Sequence, residues 1–181
     1  MDLSVVRQNL PAIDAAASET ITLFGPQFTG TPDGHVETDI AGAASLAGLS
    51  MLRAKGFGLG SFQPGTMIFT DMDAEMDSIW QFMVQAARDL GLDPSSGWDR
   101  EVPAGHNPLF SIPDMTRKTE KDFVAICARH QLGTGFFPYV AALAALKIVA
   151  SAHTRHLLDQ ETGKALALYY VVAGAKTVPF P

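Results

Sequence analysis

"AGAASLAGLS" (41–50) and "VAALAALKIVASA" (140–152) decide how this chain folds. Both are runs of small residues threaded with leucine, isoleucine and valine. Alanine and leucine are strong helix formers. Side-chain size at a contact sets how closely two helices pack. The two stretches are therefore predicted to be the central, tightly packed helices of an all-α bundle.

Working outward, the punctuation of the chain predicts about six helices. Pro11 suits the first turn of a helix running to about Phe24, and "GPQFTGTPDG" (25–34) is turn chemistry. Thr38 is the expected cap of the second helix, with Asp39 in its first turn, Arg53 and Lys55 in its last, and Gly56 just beyond. "GFGLGSFQPG" (56–65) has the close glycines of a nucleotide loop, but a helix precedes it and Pro64-Gly65 follow, so it reads as a helix stop and a loop. A third helix is expected over about 72–91, closed by Gly91 and Pro94. A fourth covers about 117–132 and is broken by "GTGFFP" (133–138); a fifth runs over about 138–158 and a sixth to about Ala175.

Between the third and fourth helices, residues 93–116 hold Pro94, Pro103, Pro108 and Pro113. Irregular segments of that length commonly line binding sites or fold as compact loops. The apolar Trp98, Leu109, Phe110 and Ile112 predict that this one is packed down, and His106, Trp98 and Phe110 are its candidate ligand-binding residues. "TMIF" (66–69) and "LYYVVAG" (168–174) carry β-branched and aromatic residues. An α+β fold with a small sheet from 66–69 and 168–173 is the alternative.

The 181 residues suit one domain, 1–181, with a substantial core. A hydrophobic content of 47% beside 18% charged residues suggests an apolar face shared with a second copy, most simply in a homodimer. The net charge of −6 argues against nucleic acid, because phosphate binding needs a concentrated basic surface, and "RKTEK" (117–121) is interrupted by acid. The single cysteine, Cys127, excludes an internal disulfide and fits a reducing cytoplasm. No signal peptide is expected at "MDLSVVRQNLPAID". The apolar runs 40–52 and 131–146 fall short of, or break, the about 20 residues that a membrane crossing needs.

Four acids alternate in "IFTDMDAEMD" (68–77): Asp71, Asp73, Glu75 and Asp77. "IFTDMDA" resembles the first motif of haloacid-dehalogenase-type phosphatases, in which an apolar strand delivers Asp-x-Asp. That resemblance implies Asp71 as nucleophile and Asp73 as acid, on a parallel sheet. It ends at Ala74-Glu75, where the family has a small residue and then Thr or Val, and no downstream lysine on alternating strand–helix units follows. On a helical wheel the acids split into two pairs, roughly 160–200° apart, on either side of an apolar stripe. They are expected to flank a helix start capped by Thr70 or Asp71, without a metal.

His153 and His156, at i, i+3 near the end of the fifth helix, continue a seam formed by Tyr139, Ala142, Leu146 and Val149. They are the best-placed polar pair, and His106 or Glu161 could join them. Cys127 and His130 are also i, i+3, and a thiol nucleophile would need such a base beside it. These four residues are the candidate catalytic groups. The function expected is a homo-oligomeric binding or assembly module without catalysis or cofactor, with a small apolar ligand as a candidate partner. The alternative is a small enzyme, with hydrolysis as the candidate chemistry, using His153 and His156 with the 93–116 loop.

Overall fold

A computed structural model describes residues 2–32, 34–56, 59–68, 71–99 and 101–180. Among them are eight α-helices and no strand: α1 (Leu3–Gln8), α2 (Leu10–Thr20), α3 (Pro26–Thr29), α4 (Val36–Ala54), α5 (Asp73–Asp89), α6 (Ile112–Arg129), α7 (Phe137–Thr154) and α8 (Gln160–Gly174). The six of eleven residues or more are the six that the sequence announces. α1 is an addition, begun by Asp2, whose carboxylate accepts from the Ser4 amide at 2.8 Å.

α4 is the axis of the bundle, buried along most of its length between α7 and α8. Glycines set that arrangement. A Cβ on Gly48 would lie 2.2 Å from the Val171 carbonyl oxygen and 2.3 Å from the Ala175 nitrogen. Reciprocally, a Cβ on Gly174 would lie 2.6 Å from the Ser45 carbonyl oxygen. The backbones of α4 and α8 therefore touch. Gly163 does the same for α8 against α7, where a Cβ would meet Val149 Cγ1 at 2.7 Å. α2 and α5 then lean on α7, and α6 on α4. Most of the buried apolar residues form one contiguous cluster running from Val6 to Ala175.

Several local expectations need correction. α4 is capped by His35, not Thr38: the His35 Nδ1 accepts from the Thr38 amide at 3.3 Å and lies 2.8 Å from the Thr38 hydroxyl. Thr38 is buried, and its hydroxyl oxygen accepts from the Leu109 amide at 2.9 Å, so it ties the long loop to the helix start. Asp71 does not cap α5; Met72 occupies the cap position without a side-chain bond. Thr70 lies outside the described residues. α6 begins at Ile112, five residues before the expected start. The Ser111 hydroxyl takes the cap position, and Pro113, whose fixed φ suits a first turn, stands just inside it.

The small sheet is absent among the described residues. Residues 168–173 are helical, because α8 is capped by Asp159 and seated on α4 and α7, and tertiary packing overrides β-propensity. What remains is one antiparallel bridge, Met67 to Thr177, flanked by Ile68 N to Lys176 O at 2.8 Å and Val178 N to Thr66 O at 2.9 Å. The segment Thr134–Thr154 is long and apolar enough to cross a membrane by length and composition, and 72% of its apolar window is buried against the other helices.

The close approach at Gly48 makes a sharp expectation. Gly48→Ala drives a methyl into the backbone of α8 and should cost at least about 3 kcal/mol, the top of the usual range for overpacking. Gly133→Ala, where a Cβ has nothing within 4 Å, should change stability little. Urea unfolding of the two variants beside the parent checks both.

Candidate functional site

Helix α7 ends at Thr154, so His156 lies beyond it and not one turn after His153 on the same helix. The chain closes there with the Leu157 amide on the Ala152 carbonyl at 2.9 Å and the His156 amide on the His153 carbonyl at 3.0 Å. This is the Schellman pattern, and it puts His156 in the left-handed region at φ 56°. α5 and α6 end in the same pattern, with Gly91 and Gln131 at the left-handed position. The apolar seam is buried through Tyr139, Ala142, Leu146 and Val149 and stops before the histidines; His153 and His156 are exposed.

The tertiary structure nevertheless brings His106 to the same place. His106, His153 and His156 line one open surface depression of about 400 Å³ with Leu157, Leu158 and Asp159. Two of its polar groups are already engaged. His106 Nδ1 lies 3.1 Å from Glu37 Oε1, and Asp159 caps α8 by accepting from the Thr162 amide at 2.8 Å. Glu37 also faces His35, its Oε2 3.5 Å from Nδ1, so one carboxylate joins the start of α4 to the loop. Among the described residues, no three His, Cys, Asp or Glu side chains are grouped closely enough to hold a metal. Glu161 instead accepts from the Ser96 hydroxyl at 2.7 Å.

Cys127 and His130 do not form a nucleophile–base pair. Cys127 is fully buried in α6, and burial pushes its thiol up to about 12, far from the thiolate a nucleophile needs. His130 is the C-cap of α6, and its Nε2 lies 2.9 Å from Glu19 Oε2. Glu19 also pairs with Arg129, whose hydrogen bond, with His130's second, holds its carboxyl below the usual range. These contacts tie α6 to α2.

Of the loop's apolar residues, Trp98 and Phe110 are packed against the core, whereas Leu109 is 48% exposed and Ile112 belongs to α6. Phe110 meets Phe28 edge-on at 5.9 Å, and Lys118 Nζ sits 3.7 Å above the Phe110 ring. Trp98 donates to the Pro94 carbonyl at 2.9 Å and packs edge-on against Trp80, ring centroids 5.0 Å apart. In the acidic cluster, Asp73 opens α5 with no strand before it among the described residues, so the phosphatase resemblance has no scaffold. Glu75 pairs with Lys55 at 2.8 Å, which lowers its carboxyl and joins α5 to the end of α4.

The feature that sequence reasoning missed is an apolar cleft of about 600 Å³ between α1–α2 and α5. Leu3, Val6, Leu10 and Pro11 form one wall, and Phe82, Ala86 and Leu90 the other, with Leu143 of α7 beneath. Polar groups stand along its sides. Asp14 pairs with Lys147 at 2.7 Å, Asp89 accepts from Gln85 at 2.8 Å, and Arg7 makes no hydrogen bond or ion pair to the described residues. The spacing Leu3, Val6, Leu10 was the available signal, an i, i+3, i+7 stripe ahead of Pro11.

A non-glycine residue in the left-handed region costs about 1–2 kcal/mol. His156→Gly should therefore raise stability, by up to about 1 kcal/mol once the extra freedom of glycine in the unfolded chain is counted. A thermal melt shows it as an increase in Tm. Comparison with protein-family models, with curated proteins and with solved structures finds no match for this chain.

Proposed function

We propose that this protein is a non-catalytic binding module that takes a small apolar ligand in the cleft between α1–α2 and α5. The cleft itself carries the reading. Its volume of about 600 Å³ falls in the range of small-molecule sites, and its walls are aliphatic and aromatic with a few polar groups beside them. The homodimer suggested by composition belongs to the same proposal. Most apolar side chains are absorbed by the chain's own core, and the exposed ones include Val5 on α1 and Leu10 on α2, the helices that wall the cleft.

The probe is Nile red, a neutral dye that brightens on leaving water. Saturable one-to-one binding is expected, weakened roughly ten-fold or more by Leu10→Asp, which places a charge in the apolar wall of the cleft at a leucine that is 38% exposed. Absence of saturation, or equal binding by the variant with its circular dichroism intact, overturns the ligand reading. Light scattering of the same samples giving 19.3 kDa at every concentration overturns the dimer.

One observation favours a second reading, a small enzyme: His106 joins His153 and His156 at a single depression. If that depression were a reaction site, His153→Ala/His156→Ala would abolish ester hydrolysis by the chain, measured with p-nitrophenyl acetate. Equal background rates in parent and variant remove the reading.

A further inference from the structure

On the flank of α5 that faces α8, a second and smaller depression of about 270 Å³ is lined by Met76, Asp77, Trp80 and Trp98, with Leu168 and Val172 of α8. We infer that this is a site for an organic cation, an alkylated ammonium group held by the two indoles and the Asp77 carboxylate.

The geometry is that of an aromatic corner. The Trp80 and Trp98 rings stand at 78° with centroids 5.0 Å apart. The two indoles pack edge to face and both line the depression; an indole face open to a cation attracts it through its negative quadrupole, the interaction by which aromatic cages hold quaternary ammonium groups. Trp98 is fixed by its bond to Pro94 and packs against the core, whereas Trp80 is half-buried and stands outside the core cluster. An indole that is only part-buried and outside the core has some ring surface to offer a ligand.

Asp77 supplies the charge. It lies one turn before Trp80 on α5, lines the depression, and makes no hydrogen bond or ion pair to the described residues. The neighbouring depression continues past Met76 and Asp77 to Asp73, with Lys176 on its other side. A cation already lies near one indole. Lys164 Nζ is 5.5 Å from the Trp98 centroid, and it donates to the Asp93 carbonyl. Burial lowers the Lys164 ammonium from its ordinary range, and the charges of Asp93 and Glu161 counter this. Those two acids leave Asp77 as the carboxylate that answers a ligand. A metal ion or a bare ammonium would favour water over the apolar lining of Leu168 and Val172; methyl groups on nitrogen favour the lining. The inference is independent of the cleft at α1–α2, which shares none of these residues.

The chain has two tryptophans, and both are in this corner, so intrinsic fluorescence reports on it directly. Choline, a peptide bearing trimethyllysine, and the neutral isostere 3,3-dimethylbutan-1-ol are titrated at constant ionic strength. A saturable change with choline or the peptide, at least roughly five-fold tighter than with the alcohol, is expected; whichever of the two binds tighter identifies the source of the group. Trp80→Leu should abolish saturation read by isothermal calorimetry. Asp77→Asn, an exposed change that leaves the core alone, should weaken binding roughly two- to five-fold, with the difference shrinking as salt is added. Equal response to the alcohol, no saturation with either cation, or full affinity in Asp77→Asn overturns the assignment.

Discussion

The contact of α4 with α8 at Gly48 and Gly174 is the constraint on which the rest of the bundle depends. Each glycine faces the other helix's backbone at a distance that excludes even a methyl group. Once those helices touch, Ser45 is enclosed at the crossing, where its hydroxyl is the buried side-chain oxygen without a partner among the described residues. An unsatisfied buried hydroxyl costs about 1–3 kcal/mol, so the close packing around it must outweigh that penalty. Gly163 against Val149 then seats α7, and the remaining helices wrap what is left of the α4 and α7 surfaces.

Both binding regions follow from that wrapping. α5 is a single layer over α7, and its two flanks meet different neighbours. One flank faces α1 and α2 across the apolar cleft; the other carries Met76, Asp77 and Trp80 toward α8 and the loop. The loop does not float over α8. Gln160 accepts from the Asp93 amide, Glu161 from Ser96, and Lys164 donates to the Asp93 carbonyl, so Trp98 is brought to Trp80 by hydrogen bonds made elsewhere.

Much of the architecture is legible in local residue patterns. The small-residue runs mark the central helices because side-chain size governs helix approach, and Gly91, Pro94 and Gly56 mark ends through their backbone preferences. Errors arose where a side chain could serve two roles. Thr38 looks like a cap because its hydroxyl could accept from the helix amides, yet that hydroxyl is taken by Leu109, 71 residues away, and His35 caps instead. His156 looks helical by spacing, but the chain leaves the helix one residue earlier, at the cost of a left-handed histidine.

The all-α class, the two small-residue helices α4 and α7 and a helix start at the acidic cluster are readable in the sequence alone. Each depends on short-range periodicity, composition or helix geometry. Packing in three dimensions sets what the sequence does not show: His106 lines one depression with His153 and His156, Trp98 stands against Trp80, and α1–α2 and α5 leave a cleft between them. Those meetings join residues far apart in the chain, and they are set by how rigid helices stack once the α4–α8 contact has formed.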